Sequence, residues 1–264
     1  MALRDGDRGL AVHCHRGCPA AEIYAELRRQ GLLGGSEGSL SDDPEIVQRR
    51  RQAERADRRR RIAAGLDIWS QTCGDRGNLA ERYLRLRGYT GPIPSTIRAH
   101  GLIRHTESGE QRPAMVGLVE HVEHGRVGVH LTYINQFDPA VRVTIAPRKR
   151  TIGPVAGGAV RLGPVRPDQW LVVGEGLEST LSAMQLWHCH SGWAALSANG
   201  LRNLILPPKA RLVRIAVDND ESGVGQAAAR DAAWLWEDEG RTVRVALPPT
   251  PGFDFNDILL AGRI

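Results

Sequence analysis

Two short acidic motifs follow apolar segments in the C-terminal half of the sequence. Asp218 and Asp220 stand one residue apart directly after the apolar run 212–217, and Glu175 follows the apolar stretch WLVVG. Carboxylates this close repel one another and resist the loss of water, so the arrangement is unfavourable unless a cation or a shared proton offsets the charge. The pattern therefore indicates cation binding or a proton shared between acids.

The segments that carry these acids alternate between strand and helix patterns from Trp170 onward. This alternation predicts an α/β fold in which a parallel sheet has helices on both faces, with chemistry at the carboxyl ends of its strands. Glu175, Asp218 and Asp220 would then meet at one edge, where carboxylate oxygens suit Mg²⁺ or Mn²⁺. A turn or a helix cap explains one aspartate after a strand, but not a second one together with Glu175.

Three further regions precede the predicted α/β domain, which we place at residues 166–264. Residues 1–35 contain a Cys/His cluster and a short amphipathic helix, and residues 36–74 contain a Gly/Ser-rich linker and an arginine-rich helix. Residues 75–165 predict a mainly antiparallel α+β subdomain. Its expected elements are a helix in NLAERYLRLRGY, two strands joined by a turn, and a strand in VRVTIAPRKRTIG with a basic tip.

The composition favours an anionic partner. The formal net charge is +5 and the sequence pI is about 9.4, which fits nucleic acid, a membrane surface or a small phosphate ligand. The arginine-rich helix has two interpretations, a solvated connection or a face that tracks phosphates. No apolar run approaches the roughly 20 residues of a membrane span, and four scattered cysteines do not make a disulfide framework. We therefore expect a cytoplasmic protein that does not enter a membrane.

The acidic motifs resemble the toprim domain, the catalytic module of bacterial-type primases, some topoisomerases and some nucleases. Its E-G motif is matched by GEGLES at Glu175 and Gly176, and its D-x-D motif by VDNDESG at Asp218 and Asp220. The resemblance implies that Glu175, Asp218 and Asp220 are catalytic and bind Mg²⁺ or Mn²⁺.

Other segments are similar to the catalytic core of bacterial-type primases, closest to those of phages, plasmids and other mobile elements. These segments are AERYLRLRGYT, MVGLVEHVEHGRVGVHLTYI and ALPPTPGFDFNDILLAG. In the last segment, Asp254 has two interpretations: the resemblance implies a further metal ligand, and its place before ILLAG, with Asp257, equally suits a helix N-cap. The resemblance implies primer synthesis from nucleoside triphosphates on single-stranded DNA, with a separate replicative helicase as a candidate partner. Five basic residues are candidates for gripping template or triphosphate: Arg82, Arg87, Arg148, Lys149 and Arg150.

The N-terminal segment VHCHRGCPAAEIYAEL resembles the second half of the zinc-binding module that precedes primase cores. Cys14 and Cys18 match its last two ligands, while the first pair would lie before Met1. A structural zinc site takes four ligands, so we expect an incomplete module and no firm zinc site. Two departures also concern the acids: Ser179 occupies a position that is often acidic in primases, and Asn256 replaces the acid that follows Asp254.

Three alternatives to primer synthesis remain open at this stage. A phosphatase with a D-x-D motif would carry that motif near the start of its fold and a lysine downstream, whereas Lys209 lies upstream here. A toprim nuclease would share the metal site and differ in its reaction. A non-catalytic, nucleic-acid-binding relic of a primase would fit the incomplete zinc module.

Overall fold

The computed structural model describes residues 2–6, 9–13, 18–30, 32, 44–141 and 143–262 of the chain. These residues belong to two compact units, Met1–Asp57 and Arg58–Ile264. None of the described helices is both long enough and apolar enough to cross a membrane.

The first unit contains a short β-hairpin and the helix expected after Pro19. The hairpin strands β1 (Ala2–Gly6) and β2 (Gly9–His13) pair antiparallel, and the helix is α1 (Ala20–Arg29). The hairpin is not among the sequence-based expectations. The arginine-rich helix is confirmed as α2 (Pro44–Ser70), which starts in this unit and runs on into the second.

The first part of the second unit is an antiparallel α+β region, as expected. The helix in NLAERYLRLRGY is confirmed, with Asn78 as its N-cap accepting the backbone N–H of Glu81. Two observed strands were not expected from the sequence. Ile97–Arg104 is mostly polar on its exposed side, and Ala159–Arg161 has only three residues. The elements are α3 (Leu79–Leu86), β3 (Ile97–Arg104), β4 (Gln111–His121), β5 (Gly125–Tyr133), β6 (Lys149–Ile152) and β7 (Ala159–Arg161).

The strand expected in VRVTIAPRKRTIG is largely wrong, since only its end forms β6. Val143 and Ile145 are buried but do not join a strand, and Pro147 has no N–H to donate to a ladder. The basic residues therefore stand at the start of β6, where Lys149 pairs with Thr132 of β5.

The C-terminal part alternates strictly between strands and helices, which confirms the expected α/β class. Its helices lie on both faces, because one cluster of buried side chains packs under α4 and α7 and another under α5 and α6. The elements are β8 (Trp170–Gly174), α4 (Leu177–Leu186), β9 (Ser191–Ala194), α5 (Ala198–Asn203), β10 (Leu212–Ala216), α6 (Val224–Asp238), β11 (Thr242–Ala246) and α7 (Phe255–Ala261).

One nine-stranded sheet joins the two parts of the second unit. Its order is β11-β10-β8-β9-β7-β4-β5-β6, with β3 added beside β4. The first four strands are mutually parallel, so β8 and β10, which are direct neighbours, end at the same edge. Their residues Gly174 and Ala216 are paired, and each is followed within two residues by a predicted site acid.

Candidate active site

Glu175 occupies the junction between β8 and α4. The strand ends at Gly174, Gly176 is the N-cap of the helix, and Glu175 between them is half-buried. Burial raises the pKa of the Glu175 carboxyl and the negative charge of Asp220 adds to this, while an N–H donated by Ala198 at the start of α5 opposes it. The fold therefore holds an acid that is costly to ionise at the end of the strand.

Asp218 follows β10 at the same edge and is also half-buried. Burial raises the pKa of Asp218 to about 6, although the Ser179 hydroxyl donates a hydrogen bond of 2.9 Å to its Oδ1. The negative charges of the nearby Asp254 and Glu175 carboxylates contribute to this raised pKa. Ser179, at the position where a second acid was anticipated, thus supports Asp218 instead of adding charge.

Asp220 is exposed and shapes the turn that leads into α6. Its Oδ1 accepts the Ser222 hydroxyl at 2.6 Å and the Gly223 N–H at 3.0 Å, so the turn interpretation applies to this residue. Between the two aspartates, the Asn219 amide donates to the Pro248 carbonyl oxygen at 2.9 Å, which fixes the loop to the segment after β11. The second oxygen of Asp220, Oδ2, lies on the side of α6.

The structure brings Glu175 and Asp220 together over the first turn of α6. A Cβ placed on the buried residue Gly225 would lie 3.1 Å from Glu175 Oε2 and 4.0 Å from Asp220 Oδ2. The missing side chain at this position therefore leaves space that the two carboxylates face. With Asp218 beside them, they form what we call the acidic edge: Glu175, Asp218 and Asp220.

The acidic edge fits a divalent cation in its chemistry and is open in its geometry. All its donors are carboxylate oxygens, the ligands that Mg²⁺ and Mn²⁺ prefer. The raised pKa values of Glu175 and Asp218 reflect burial first and repulsion between carboxylates second, and a cation would relieve both. Among the described residues the only group of three ligands within 4.8 Å of one another is elsewhere. The three acids therefore interact electrostatically, although their ligand oxygens do not all lie within 4.8 Å of one another.

That other group lies in the turn between β4 and β5 and was not anticipated. It consists of buried His121 with exposed Glu123 and His124, and the two imidazole rings stack with centroids 4.4 Å apart. Nδ1 of His121 already accepts the backbone N–H of Glu123 at 3.1 Å, which occupies its lone pair. The hydrogen bond accounts for the compact turn without an ion.

Asp254 has the capping role that the sequence allows for it. It is the N-cap of α7: its Oδ1 accepts the Asp257 N–H at 2.8 Å, and its backbone N–H donates to Asp257 Oδ2 at 2.9 Å, forming a capping box. Burial raises the pKa of Asp254, and its charge in turn raises that of Asp218. A metal role for Asp254 stays a prediction, since capping uses one of its two oxygens.

An ion pair between the exposed Lys149 and the half-buried Glu178, beside the acidic edge, is the feature that sequence reasoning missed. Glu178, whose side chain is 11% exposed, accepts Lys149 Nζ at 2.9 Å and the Tyr83 hydroxyl at 3.0 Å. Burial opposes ionisation of Glu178, but Lys149 and Tyr83 hold its pKa at about 2. The signal available in the sequence was the second glutamate of GEGLES, three residues after Glu175 and in the first turn of α4.

Lys149 is the predicted basic residue that the structure brings to the acids. Its positive charge lowers the pKa of Glu175 and Asp218, which places its ammonium group near both carboxyls. The other four candidates are not shown at the acids: Arg82 and Arg148 are exposed, Arg87 lies over the Tyr83 ring at 5.4 Å, and Arg150 stands in β6 opposite Leu131.

The expected incomplete zinc module is only partly covered by the structure. Cys14 lies outside the described residues, and Cys18 is exposed. The expectation about zinc therefore stays a prediction.

Comparisons with known proteins divide the chain in two. Residues 170–263 match the toprim domain family, and residues 59–162 match a domain of unknown function, DUF7146. No curated protein matches the chain. Two solved structures are similar. The primase fragment of the bacteriophage T7 primase-helicase protein is 16% identical, with a TM-score of 0.41 over 69% of this chain. The E. coli primase catalytic core is 15% identical, with a TM-score of 0.34 over 70% of this chain. This chain spans 66% and 57% of their lengths, respectively.

Proposed function

Since residues 170–263 form a toprim domain in a primase-like chain, we propose that this protein synthesises primers by metal-dependent nucleotidyl transfer. In this reaction a 3′ hydroxyl attacks the α-phosphorus of a nucleoside triphosphate bound opposite a single-stranded DNA template. A new P–O bond forms, the bond to the β-phosphate oxygen breaks, and pyrophosphate leaves. The hydroxyl proton passes to a base.

The observation that carries this proposal is the convergence of three acids at the acidic edge. Glu175 and Asp220 face the same space over Gly225, and Asp218 lies close enough to interact electrostatically with Glu175. Two half-buried carboxylates and one exposed carboxylate with this geometry suit Mg²⁺ or Mn²⁺. When bound there, such an ion would neutralise phosphate charge and lower the pKa of the attacking hydroxyl.

Each residue then has a distinct task. Asp218 and Asp220 would hold the metal, with Ser179 fixing the orientation of Asp218 through its hydroxyl. Glu175, whose pKa is raised by burial, is suited to accept the hydroxyl proton or to complete the ligand set. Lys149 would face the triphosphate, because its ammonium group is held beside the acids by Glu178. Asp254 is a further candidate ligand.

The remaining parts of the proposal concern the rest of the chain. We assign residues 1–35 to an incomplete zinc-binding module, 36–74 to a linker and basic helix, 75–165 to the first subdomain of the core and 166–264 to the toprim domain. Template contacts by the four exposed or half-buried arginines and partnership with a separate helicase belong to the same proposal. The arginines are Arg82, Arg87, Arg148 and Arg150.

Primer synthesis by the purified chain tests the proposal. Wild type and Glu175→Gln are incubated with single-stranded DNA and labelled nucleotides in Mg²⁺, in Mn²⁺ or with chelator. Glu221→Gln is the matched control, because Glu221 is an exposed acid next to the same motif. We expect short products from wild type and the control that disappear with chelator and in Glu175→Gln.

Two other outcomes would replace the proposal. Metal-dependent shortening of the DNA that requires Glu175 would assign a toprim nuclease. DNA binding without any metal-dependent reaction, in wild type as in the variant, would assign a non-catalytic relic.

A further inference from the structure

A row of alternating indole and guanidinium groups lies on one face of the parallel sheet, away from the acidic edge. The guanidinium carbon of Arg214 is 5.1 Å from the ring centroid of Trp170 and 4.9 Å from that of Trp187, and that of Arg244 is 5.0 Å from Trp170. We call these four residues the Arg/Trp row: Trp187, Arg214, Trp170 and Arg244.

The sheet register explains why the row forms. Arg214 of β10 is paired with Arg244 of β11, and Trp170 of β8 is paired with Leu212, two residues before Arg214. Because side chains two residues apart point to the same face of a strand, Trp170, Arg214 and Arg244 share one face. Trp187 reaches the same face from the end of α4. The row is therefore fixed by the backbone of three neighbouring strands.

The two guanidinium groups of the row have no acid partner among the residues that the structure describes. Within residues 44–141 and 143–262, neither Arg214 nor Arg244 forms an ion pair or a side-chain hydrogen bond. Other arginines of the same region do pair with acids, such as Arg202 with Asp231 and Arg241 with Glu239. Arg244 is exposed and Arg214 and both tryptophans are half-buried, so ligands can approach the row.

Stacking on indole rings orients a guanidinium group but leaves its N–H donors free. These donors lie in the guanidinium plane and match two oxygens of a phosphate group. The outer plane of the exposed Arg244, at the end of the row, can also stack on an unpaired nucleobase. A surface that offers both features, and whose arginines form no ion pair within the described part of the chain, complements a single-stranded nucleic acid better than an acidic peptide, which has carboxylates but no nucleobases.

We propose that the Arg/Trp row binds single-stranded nucleic acid, with Arg214 and Arg244 on consecutive backbone phosphates. The choice of ligand rests on the proposed function, because a primer-synthesising enzyme must hold its template outside the site of chemistry as well as within it. The row stands on β8 and β10, the strands that also end in Glu175 and Asp218, so a strand bound there reaches the same domain.

Fluorescence anisotropy of the whole chain with labelled oligothymidine or oligouridine, in chelator and without nucleotides, tests the row. The double variant Arg214→Gln/Arg244→Gln is compared with Arg166→Gln/Arg230→Gln, which removes the same charge from two exposed arginines outside the row. We expect binding to weaken about tenfold or more in the first and less than about twofold in the second. Equal weakening of both double variants would overturn the proposal.

The salt dependence and the choice of competitor sharpen the result. Loss of two phosphate contacts should reduce the slope of log affinity against log salt by about 1.4, at about 0.7 per contact with single strands. Oligothymidine against oligouridine decides between DNA and RNA as the stronger ligand. Duplex DNA or polyglutamate that competes as well as the single strand would contradict stacking recognition and overturn the proposal.

Two further measurements keep the test valid if the glutamine variant does not fold. Arg214→Lys/Arg244→Lys keeps the positive charge but not the planar guanidinium. We expect its affinity for the oligonucleotide to lie between that of the wild type and that of the glutamine variant. Photo-crosslinking of wild type to bromodeoxyuridine-substituted oligonucleotide should label peptides containing Trp170, Trp187 or Arg244. Labelling confined to other peptides would contradict the row as a binding site.

The outcome is separable from that of primer synthesis. Binding that depends on the row in chelator, by a protein that makes no primers, would uphold this inference and refute the proposed function. Primer synthesis by a protein whose DNA binding does not change in the row variants would uphold the proposed function and refute this inference.

Discussion

The acidic edge and the Arg/Trp row share the strands β8 and β10 and carry opposite charges. At the ends of β8 and β10, the half-buried carboxylates Glu175 and Asp218 repel one another and have raised pKa values. On the face of β8, β10 and the neighbouring β11, Arg214 and Arg244 rest on indole rings without an acid partner among the described residues. By contrast, Glu178 and Lys149 between the two subdomains form a closed pair.

The difference lies in what stabilises each region before a ligand arrives. The arginines are held by stacking, which keeps them in place and favours their charge, so the row is stable as it stands. The carboxylates are held by burial and by hydrogen bonds from Ser179 and Ala198, and burial disfavours their charge. Removal of a charged group should therefore affect folding stability in opposite directions in the two regions.

The largest effect on activity is expected from adding a side chain at Gly225, which faces Glu175 and Asp220. In Gly225→Ala the added Cβ would lie 3.1 Å from Glu175 Oε2 and occupy the space that Glu175 and Asp220 face. We expect metal-dependent activity to fall about 10- to 100-fold, a barrier increase of about 1–3 kcal/mol. Since alanine favours a helix interior over glycine, folding stability should be unchanged or higher. Gly101→Ala, at a position with open space, is the control. Unchanged kinetics would contradict the convergence of the acids.

The closed pair should respond next most strongly. Glu178→Gln removes the partner of Lys149, and because the pKa of Glu178 is lowered to about 2, its contribution is present above about pH 4.5 and is lost as the pH falls toward 2. We expect unfolding free energy at pH 7 to drop by about 1–3 kcal/mol, since Lys149 is partly solvated. Urea titrations at pH 7 and at pH 2.5 should show the difference shrinking in acid, whereas an equal loss at both pH values would disprove the charge-based cause.

Asp218→Asn should change the folding stability of the metal-free protein in the opposite direction to Glu178→Gln. The pKa of Asp218 is raised to about 6, so the folded state binds the proton more tightly, and wild-type stability falls as the pH rises from about 4 to 6. Asparagine has no such charge, and we expect it to stabilise the metal-free protein by about 1–2 kcal/mol at pH 8 and hardly at pH 3.5. Thermal unfolding in chelator measures this, with the exposed Asp238→Asn as control. A destabilised variant at pH 8 would be inconsistent with an uncompensated acid.

The smallest effect is expected in the row. Arg214→Gln removes the guanidinium that lies between Trp170 and Trp187, and each cation–π contact at such a site stabilises by about 0.5–1 kcal/mol. We expect a loss of about 1 kcal/mol in chemical denaturation, against no measurable change for Arg230→Gln on α6. A gain in stability would mean that the arginines repel each other and that the row resembles the acidic edge after all.

The sequence was sufficient for the α/β part and for the acids that end its strands, because alternation and D-x-D spacing are local signals. It was also sufficient for the two interpretations of Asp254, of which the cap is now observed. It was insufficient for the segment before β6, where a local pattern of apolar residues was overridden by Pro147 and by burial without pairing.

The contacts that depend on distant segments could not be read from local pattern. Glu178 meets Lys149 and Tyr83 only because α4, β6 and α3 converge, and the Arg/Trp row depends on the register of three strands. Glycine at position 225 likewise reads as an ordinary helical residue until the carboxylates above it are seen. Such features follow from tertiary packing, which sequence spacing does not encode directly.

Binding of Mn²⁺ followed by electron paramagnetic resonance tests the central claim most directly. Metal-free wild type, Asp218→Asn/Asp220→Asn and the control Asp238→Asn are titrated with Mn²⁺ at pH 8, and the signal of the free ion is recorded. We expect wild type and the control to remove the free-ion signal up to a saturable site that the double variant lacks. Identical titrations of all three proteins would contradict the assignment of the acidic edge as a metal centre.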